Sequence, residues 1–91
     1  TVWQCKTLIQ DHLIDFIRMS PTHGGGVTNL RKVLWLAEMH QVKSGLHGPS
    51  DVSPVGVAAS LHLDLAISNF GIQEYQQRPA LVDDLFPHAY Y

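Results

Sequence analysis

The sequence is poor in features that mark secreted, membrane or nucleic-acid-binding proteins. Its single cysteine, Cys5, allows no internal disulfide and is compatible with a reducing compartment. No run of Lys or Arg exceeds two residues and the formal net charge is −2, which argues against a nucleic-acid partner. The longest apolar stretch, 52–67, is interrupted by polar side chains and predicts a buried helix, not a membrane span. The start lacks the pattern of a signal peptide. We therefore expect a cytoplasmic protein.

The length of 91 residues suits one small domain but not a complete (β/α)8 barrel, which needs roughly 200 residues or more. Hydrophobic residues make up 45% of the sequence, as in an ordinary globular core, so a disordered chain is not expected. The sequence starts without Met and inside a predicted helix. We therefore expect it to be a piece of a longer protein.

Hydrophobic periodicity predicts helices that alternate with short strands. Apolar residues at three- and four-residue steps indicate helices, whereas compact runs of Ile, Phe and Val indicate strands. Ser53 is suited to cap a helix that Pro54 begins. In chain order the prediction is a helix over 1–12, a strand over 13–19, a helix of about thirteen residues from Val27, a strand over 41–47, a helix from Ser53 to about Ser68 ended by Asn69 and Gly71, a strand over 72–75, and a tail over 76–91 with one helical turn.

This alternation predicts an α/β fold with a parallel sheet and right-handed crossovers. Arg18, His47 and Glu74 follow the three predicted strands at spacings of 29 and 27 residues. Regular spacing of this kind suits consecutive βα units of a barrel, whose active-site residues lie at the carboxyl ends of the strands. We therefore interpret the chain as part of a (β/α)8 TIM-like barrel, about three βα units in parallel order.

A sheet of three parallel strands has two open edges and one uncovered face. The side chains of Ile14, Phe16, Leu46 and Ile72 are expected to face the barrel interior, where other strands would cover them. Exposed strand edges and apolar faces associate with other protein chains, usually with another copy. The isolated chain is therefore not expected to be a stable monomer.

Arg18 and His47 are candidate ligand-binding residues because each ends an apolar strand. The planar guanidinium of Arg18 could hold a carboxylate or a pair of hydroxyls. The imidazole of His47 could donate to a substrate oxygen or transfer a proton. Each also has an ordinary structural explanation: Arg18 could pair with a neighbouring acid at the surface, and His47 could bond to a backbone carbonyl.

Glu74 and Asp51 are the candidate acids. A carboxylate in the apolar strand around Glu74 is costly unless it is paired or faces a wet site, and an ion pair with Arg18 would equally satisfy it. Asp51 could accept from substrate hydroxyls or orient His47. It could instead serve the turn or cap ahead of the Ser53 helix.

Other motifs carry weaker signals. His23, followed by three glycines, could bind an anion through loop N–H groups, but the Gly-Lys-Ser/Thr ending of a P-loop is missing. HExxH and CxxC patterns are missing too, so a metal site built from this chain alone is not expected.

Four segments carry recognisable motifs: 13–18, 23–28, 47–54 and 69–75. The most specific are His-Gly-Pro-Ser-Asp at 47–51, followed by Ser53–Pro54, and Asn-Phe-Gly-Ile-Gln-Glu-Tyr at 69–75. Together the four segments resemble the mannonate dehydratase group of the enolase superfamily, some of whose members are called starvation-sensing proteins. The resemblance extends in order over nearly the whole chain.

The resemblance implies a two-domain protein with an α+β capping domain and a modified TIM barrel. Residues 1–91 would be a C-terminal portion of the barrel, its strands six to eight, without the capping domain and the first barrel half. Such enzymes bind Mg²⁺ through three acids on strands three to five. By motif, Arg18, His47, Asp51 and Glu74 would contact the substrate, whereas the metal ligands and the base would lie upstream of Thr1.

The implied activity of the intact protein is that of a Mg²⁺-dependent dehydratase. It would convert a sugar acid, D-mannonate or D-gluconate, to 2-keto-3-deoxygluconate, and it would assemble as a homo-oligomer. The 91-residue chain alone would be inactive. The alternative is a family member with little catalysis that acts as a regulatory or binding protein. Related racemases have an Asp at the position of Arg18, so His47 is expected to bind substrate and not to act as the main base.

Overall fold

Helices and strands alternate along the chain, as predicted. The computed structural model describes residues 2–89. Its elements are α1 (Val2–Gln10), β1 (Phe16–Ile17), α2 (Gly26–Met39), β2 (Lys43–Leu46), α3 (Pro54–Ala66), β3 (Phe70–Gln73) and α4 (Ala80–Leu85). The short helix α4 corresponds to the helical turn expected in the tail.

The first two strands are shorter than predicted because the chain is still turning where each was expected to begin. His12 has a φ of 51°, and the Leu13 N–H donates to the Leu8 carbonyl, so the chain is still leaving α1 at residue 13. Gln41, just after α2, also has a positive φ, 59°, so the chain is still turning there as well. The extended backbone of β1 and of β2 therefore begins only after the turn that follows the preceding helix.

The third strand lies two residues earlier than predicted. β3 begins at Phe70, so Gly71 belongs to the strand and does not end the helix before it. A Cβ atom at position 71 would overlap the carbonyl oxygen of Ser44 and the ring of Phe16. Glycine is needed here because the backbone of the neighbouring strand β2 and the ring of Phe16 both approach it closely.

The three strands form one parallel sheet in the order β1-β2-β3. Phe16 pairs with Lys43, and Gly45 pairs with Ile72. Backbone bonds extend the ladder beyond the strands, since the His47 N–H donates to the Met19 carbonyl at 2.8 Å. This parallel order confirms the predicted α/β topology and brings the carboxyl ends of all three strands to one edge.

The hydrophobic core lies between one face of the sheet and the helices. Its helical part comes mainly from α2, whose apolar residues recur at three- and four-residue steps along one face. Burying each Val or Leu side chain contributes about 1.5–3 kcal/mol. The core residues are Ile9, Ile17, Leu30, Val33, Leu34, Ala37, Val42, Leu46 and Leu63.

The opposite face of the sheet is open to solvent. Phe16 and Ile72 are 49% and 63% exposed on this face, as expected of residues that face a barrel interior. The same expectation was wrong for Leu46 and Ile14, because Leu46 is fully buried in the core and Ile14 packs against that core. Leu46 lies one residue beyond Gly45 on β2, so the alternation of the strand turns it toward the helices.

The start of α3 follows the predicted capping pattern. The Ser53 hydroxyl accepts a hydrogen bond from the Gly56 N–H at 3.2 Å, and Pro54 occupies the first helical position. A cap of this type contributes about 1 kcal/mol. It also fixes the end of the loop that leads from β2 to α3. Within residues 2–89, none of the helices is both long and apolar enough to cross a bilayer.

Candidate functional site

The candidate site lies at the carboxyl edge of the sheet. Arg18 follows β1, His47 follows β2 and Glu74 follows β3, each one residue beyond the last strand residue. Each side chain stands two residues beyond a position on the open face, so all three project to that side of the sheet. The fold therefore brings together three of the four residues that the sequence singled out.

The three side chains contact one another directly. Arg18 Nη2 lies 2.8 Å from Glu74 Oε1, and His47 Nδ1 lies 2.6 Å from Glu74 Oε2. Arg18 Nη2 is also 2.9 Å from His47 Nδ1. The ion pair proposed above as the ordinary explanation for Glu74 is therefore present. Arg18 nevertheless remains 58% exposed, so its guanidinium is accessible to a ligand.

The contacts fix which atom of His47 carries a proton. A ring nitrogen is either a donor or an acceptor, so Nδ1 cannot bond to both Arg18 and Glu74. An ionised carboxylate only accepts, and its contact is the shorter one, so we assign Nδ1–H donating to Glu74. Nε2 is then the ring atom left for a ligand. His47 is oriented by Glu74, not by Asp51 or by a backbone carbonyl.

Glu74 is held in its charged form. The Gly48 N–H donates to Glu74 Oε2 at 3.0 Å, and this backbone bond is the largest cause that lowers the pKa of the carboxyl below its usual range. Burial is the second-largest effect and opposes the Gly48 bond by raising the pKa, whereas the hydrogen bond from His47 and the charge of Arg18 lower it further. Glycine at position 48 permits this approach, since a Cβ atom would overlap the backbone of Glu74. The site therefore presents an anion flanked by a cation and an imidazole.

An open cavity of about 220 Å³ adjoins this cluster. Its lining consists of Arg18, Met19, Ser20, His23 and His47. Small-molecule sites are concave and contain a few convergent polar groups, and this cavity has that character. His23 was only a weak candidate in the sequence, and the structure places it in the same wall as Arg18 and His47.

Asp51 is apart from the cluster. It is exposed in the turn between β2 and α3, and no hydrogen bond among the described residues joins it to His47. The helix cap that was considered for it belongs to Ser53. Asp51 is thus available to solvent on the loop that follows the site.

Arg78 supports this loop, although no sequence motif singled it out. Arg78 is only 4% exposed, and its guanidinium donates to the Val52 carbonyl at 2.7 Å and to the Pro49 carbonyl at 3.2 Å. The Ser50 N–H in turn donates to Gln76 Oε1 at 3.1 Å. The segment after β3 therefore fixes the loop after β2. An arginine in a predicted loop is normally solvated, so only the fold identifies this role.

The described residues do not provide a metal centre. Within residues 2–89, no group of three or more His, Cys, Asp or Glu side chains is placed to hold a metal ion. Glu74 is the one carboxylate in the cluster, and it is engaged by Arg18 and His47. Mg²⁺ requires near-octahedral oxygen ligation, which this arrangement does not fit.

Comparison with known proteins gives this geometry its context. Residues 1–90 match the family model described as enolase C-terminal domain-like. The chain belongs to the enolase C-terminal domain-like family. A solved enolase from Pantoea ananatis, with bound D-gluconate and Mg, aligns with a TM-score of 0.89 at 41% identity, covering 96% of this chain and 21% of that one. The three parallel strands are thus a segment of an enolase-type TIM barrel.

Curated relatives of this enolase-type segment are similar at the sequence level. A D-mannonate dehydratase from Caulobacter sp. (strain K31) is 52% identical over 89 residues, which cover 98% of this chain. A D-galactonate dehydratase family member from Streptomyces bingchenggensis is 56% identical over 90 residues, 99% of the chain. The chain spans 22% of the length of each of these two relatives. The predicted membership in the enolase superfamily is confirmed.

Proposed function

We propose that this chain supplies the substrate-binding residues of an acid-sugar dehydratase. Residues 1–91 would be a C-terminal portion of the barrel, with the capping domain and first barrel half contributed by the rest of an intact, homo-oligomeric protein. One observation carries the proposal: Arg18, His47 and Glu74 converge at the carboxyl ends of three adjacent parallel strands. Enzymes with this fold bind their substrates at that edge.

Each residue has a binding role that follows from its contacts. Arg18, half of whose side chain is exposed, would pair with the carboxylate or with two hydroxyls of the sugar acid. His47 would use Nε2, because Nδ1 is engaged by Glu74. Glu74 would orient both side chains and accept from a substrate hydroxyl. Asp51, on the exposed loop, would bind a hydroxyl at the outer rim of the site.

The proposed reaction removes water from an aldonate such as D-mannonate or D-gluconate. The proton α to the carboxylate and the β-hydroxyl are lost, and the resulting enol becomes a 2-keto-3-deoxy acid. The residues described here bind and orient the substrate for that step. They do not fit a Mg²⁺ ion, so we propose that the intact protein holds Mg²⁺ and the base with residues outside this chain.

A keto-acid assay tests the proposal. The intact protein is incubated with D-mannonate, D-gluconate and D-galactonate, and the 2-keto acid is measured, with the 91-residue chain as a parallel sample. We expect product from at least one acid with the intact protein and none with the chain alone. An intact protein that binds a sugar acid without turnover would support a regulatory or binding role instead. An intact protein that neither binds nor converts any of them would contradict the proposal.

A further inference from the structure

The loop between β1 and α2 contains a buried serine that holds a histidine at the wall of the candidate site. Ser20 is 1% exposed, whereas His23 is exposed, and both line the cavity shared with Arg18 and His47. The loop is tightly wound, since the Gly24 N–H donates to the Ser20 carbonyl at 2.7 Å. The position of His23 is therefore set by the backbone as well as by its side-chain contact.

The imidazole of His23 is fixed through one of its two nitrogens. Ser20 Oγ lies 3.0 Å from His23 Nδ1 and 3.1 Å from Thr22 Oγ1, and it also accepts from the His23 N–H at 3.3 Å. No hydrogen bond among residues 2–89 involves His23 Nε2. The anchored ring therefore keeps one nitrogen for a partner from outside the described chain.

The two histidines of the cavity are held in different ways. His47 is bonded to the Glu74 carboxylate, whereas His23 is bonded to the hydroxyl of Ser20. A proton on Nε2 of His23 requires Ser20 to donate to Nδ1, or else requires a protonated ring. Whether the Ser20 hydroxyl donates to or accepts from Nδ1 thus determines whether Nε2 of His23 donates or accepts.

We propose that His23 is a further substrate-contacting residue, whose Nε2 hydrogen-bonds an oxygen of the sugar acid, and that Ser20 is its positioning residue. This inference rests on the proposed function of the site. A site that hydrogen-bonds one particular hydroxyl discriminates against an epimer that lacks it there. His23 therefore contributes to the choice among epimeric aldonates, and not only to affinity.

The test separates the two nitrogens of the ring in the intact protein. In His23→Asn the amide can still meet Ser20, but nothing replaces Nε2, whereas the longer side chain in His23→Gln can place an amide near the Nε2 position. We expect His23→Asn to lower kcat/KM by about tenfold, the typical effect of losing one hydrogen bond to substrate, and His23→Gln to restore part of it. His62→Asn, on the exposed face of α3, is the matched control and should leave kcat/KM unchanged.

Ser20→Ala tests the positioning role. It leaves the imidazole present but unanchored, so we expect a loss of about threefold in kcat/KM and a changed preference between D-mannonate and D-gluconate. The double variant with His23→Asn should be no worse than His23→Asn alone, because both act through one contact. The thermal midpoint of each variant shows whether it is folded.

The outcomes distinguish this inference from the function on which it rests. An active wild type whose His23→Asn variant matches His62→Asn overturns the role of His23 and leaves the proposed function intact. Equal losses in the Asn and Gln variants with a lowered thermal midpoint would show that His23 only stabilises the loop. A wild type that neither binds nor converts any aldonate overturns both proposals.

Discussion

Two carboxylates near β3, Glu74 and Asp64, have opposite electrostatic environments. Glu74, at the carboxyl edge, accepts from the Gly48 N–H and pairs with His47 and Arg18, so its pKa is lowered. Among the described residues, neither oxygen of Asp64 on α3 has a hydrogen-bond partner, and burial raises the pKa of this carboxyl to about 6. Polar contacts within the described chain are therefore complete around Glu74 and incomplete around Asp64.

The unsatisfied region lies beside the open edge of β3. Asp64 lines a cavity of about 300 Å³ together with Phe70 and Gln73, and Gln73 Oε1 also lacks a hydrogen-bond partner among the described residues. Buried polar groups in folded proteins nearly always find partners. The Glu74 carboxylate is therefore satisfied by groups of this chain, whereas the flank of the sheet holds buried polar atoms that the described residues leave without hydrogen bonds.

The largest effect that we expect is on the folding of the chain by itself, because the edge strands and one face of the sheet are open. In the 91-residue chain, β1 and β3 are edge strands of the described sheet, and Phe16, Phe70 and Ile72 are 46% to 63% exposed. A small domain buries only about 60% of its surface even when well closed. We therefore expect the purified chain to aggregate, to oligomerise or to melt without cooperativity. A monodisperse monomer in light scattering, with a sharp thermal transition, would contradict this.

The next largest effect concerns the carboxyl edge. Glu74→Gln removes the anion that orients Arg18 and His47, and displacement of positioning groups can lower catalysis by about 100-fold. We expect a loss of that size in kcat/KM for the intact protein. Glu38→Gln is the matched control, because this exposed glutamate only accepts from the Ser68 hydroxyl, as Gln can. Equal activity of the two variants would remove Glu74 from the site.

The same variant predicts a pH dependence of stability. The pKa of Glu74 is lower in the folded chain than its ordinary value of 4.5. Its stabilising contribution is therefore fully present above pH 4.5 and is lost as the pH falls through the lowered folded pKa. Thermal melts of the intact wild type and Glu74→Gln should differ by a constant amount from pH 7 to 5 and converge in stronger acid. A difference that grows below pH 4.5 would contradict this sign.

The smallest effect that we expect is on the free energy of unfolding, when Asp64 is replaced. We expect the flank to be covered in the intact protein and Asp64 to be paired there, so Asp64→Asn should destabilise it by about 1 kcal/mol in urea unfolding at pH 7. If the carboxyl stayed unpaired, its raised pKa would make the wild type lose stability as the pH rises from about 4 to about 6. Asp64→Asn would then be stabilising at pH 7 and neutral below pH 4, which is the contradicting outcome. Asp84→Asn, an exposed acid on α4, is the control.

Much of the fold could be predicted because it depends on local patterns. Helical periodicity, the Ser53–Pro54 cap and the even spacing of Arg18, His47 and Glu74 were enough to predict the order of elements and the common edge. Strand boundaries were wrong where backbone turns at His12 and Gln41 or the packing of Gly71 decided them, since these depend on contacts between elements. The orientation of Leu46 was wrong because its face of β2, opposite to that of Gly45 and His47, packs against the helices and not toward the open side of the sheet.

The site was less predictable than the fold. The motifs identified Arg18, His47 and Glu74, but not that Glu74 would orient His47 in place of Asp51. Arg78 and Ser20 could not be selected, because each acts through a tertiary contact that no spacing reveals: Arg78 with the loop at 49–52, and Ser20 with a ring in the cavity. Residues that position others are identified only once the chain is folded.

We propose that the Arg18–His47–Glu74 cluster binds a sugar acid. A crystal structure of the intact protein with D-gluconate or D-mannonate tests it most directly. We predict oxygens of the ligand within about 3 Å of the Arg18 guanidinium and of His47 Nε2, with Glu74 still bonded to His47 Nδ1. A ligand bound elsewhere in the barrel, with the cluster unchanged and in contact with solvent only, would show that these residues do not bind the sugar acid.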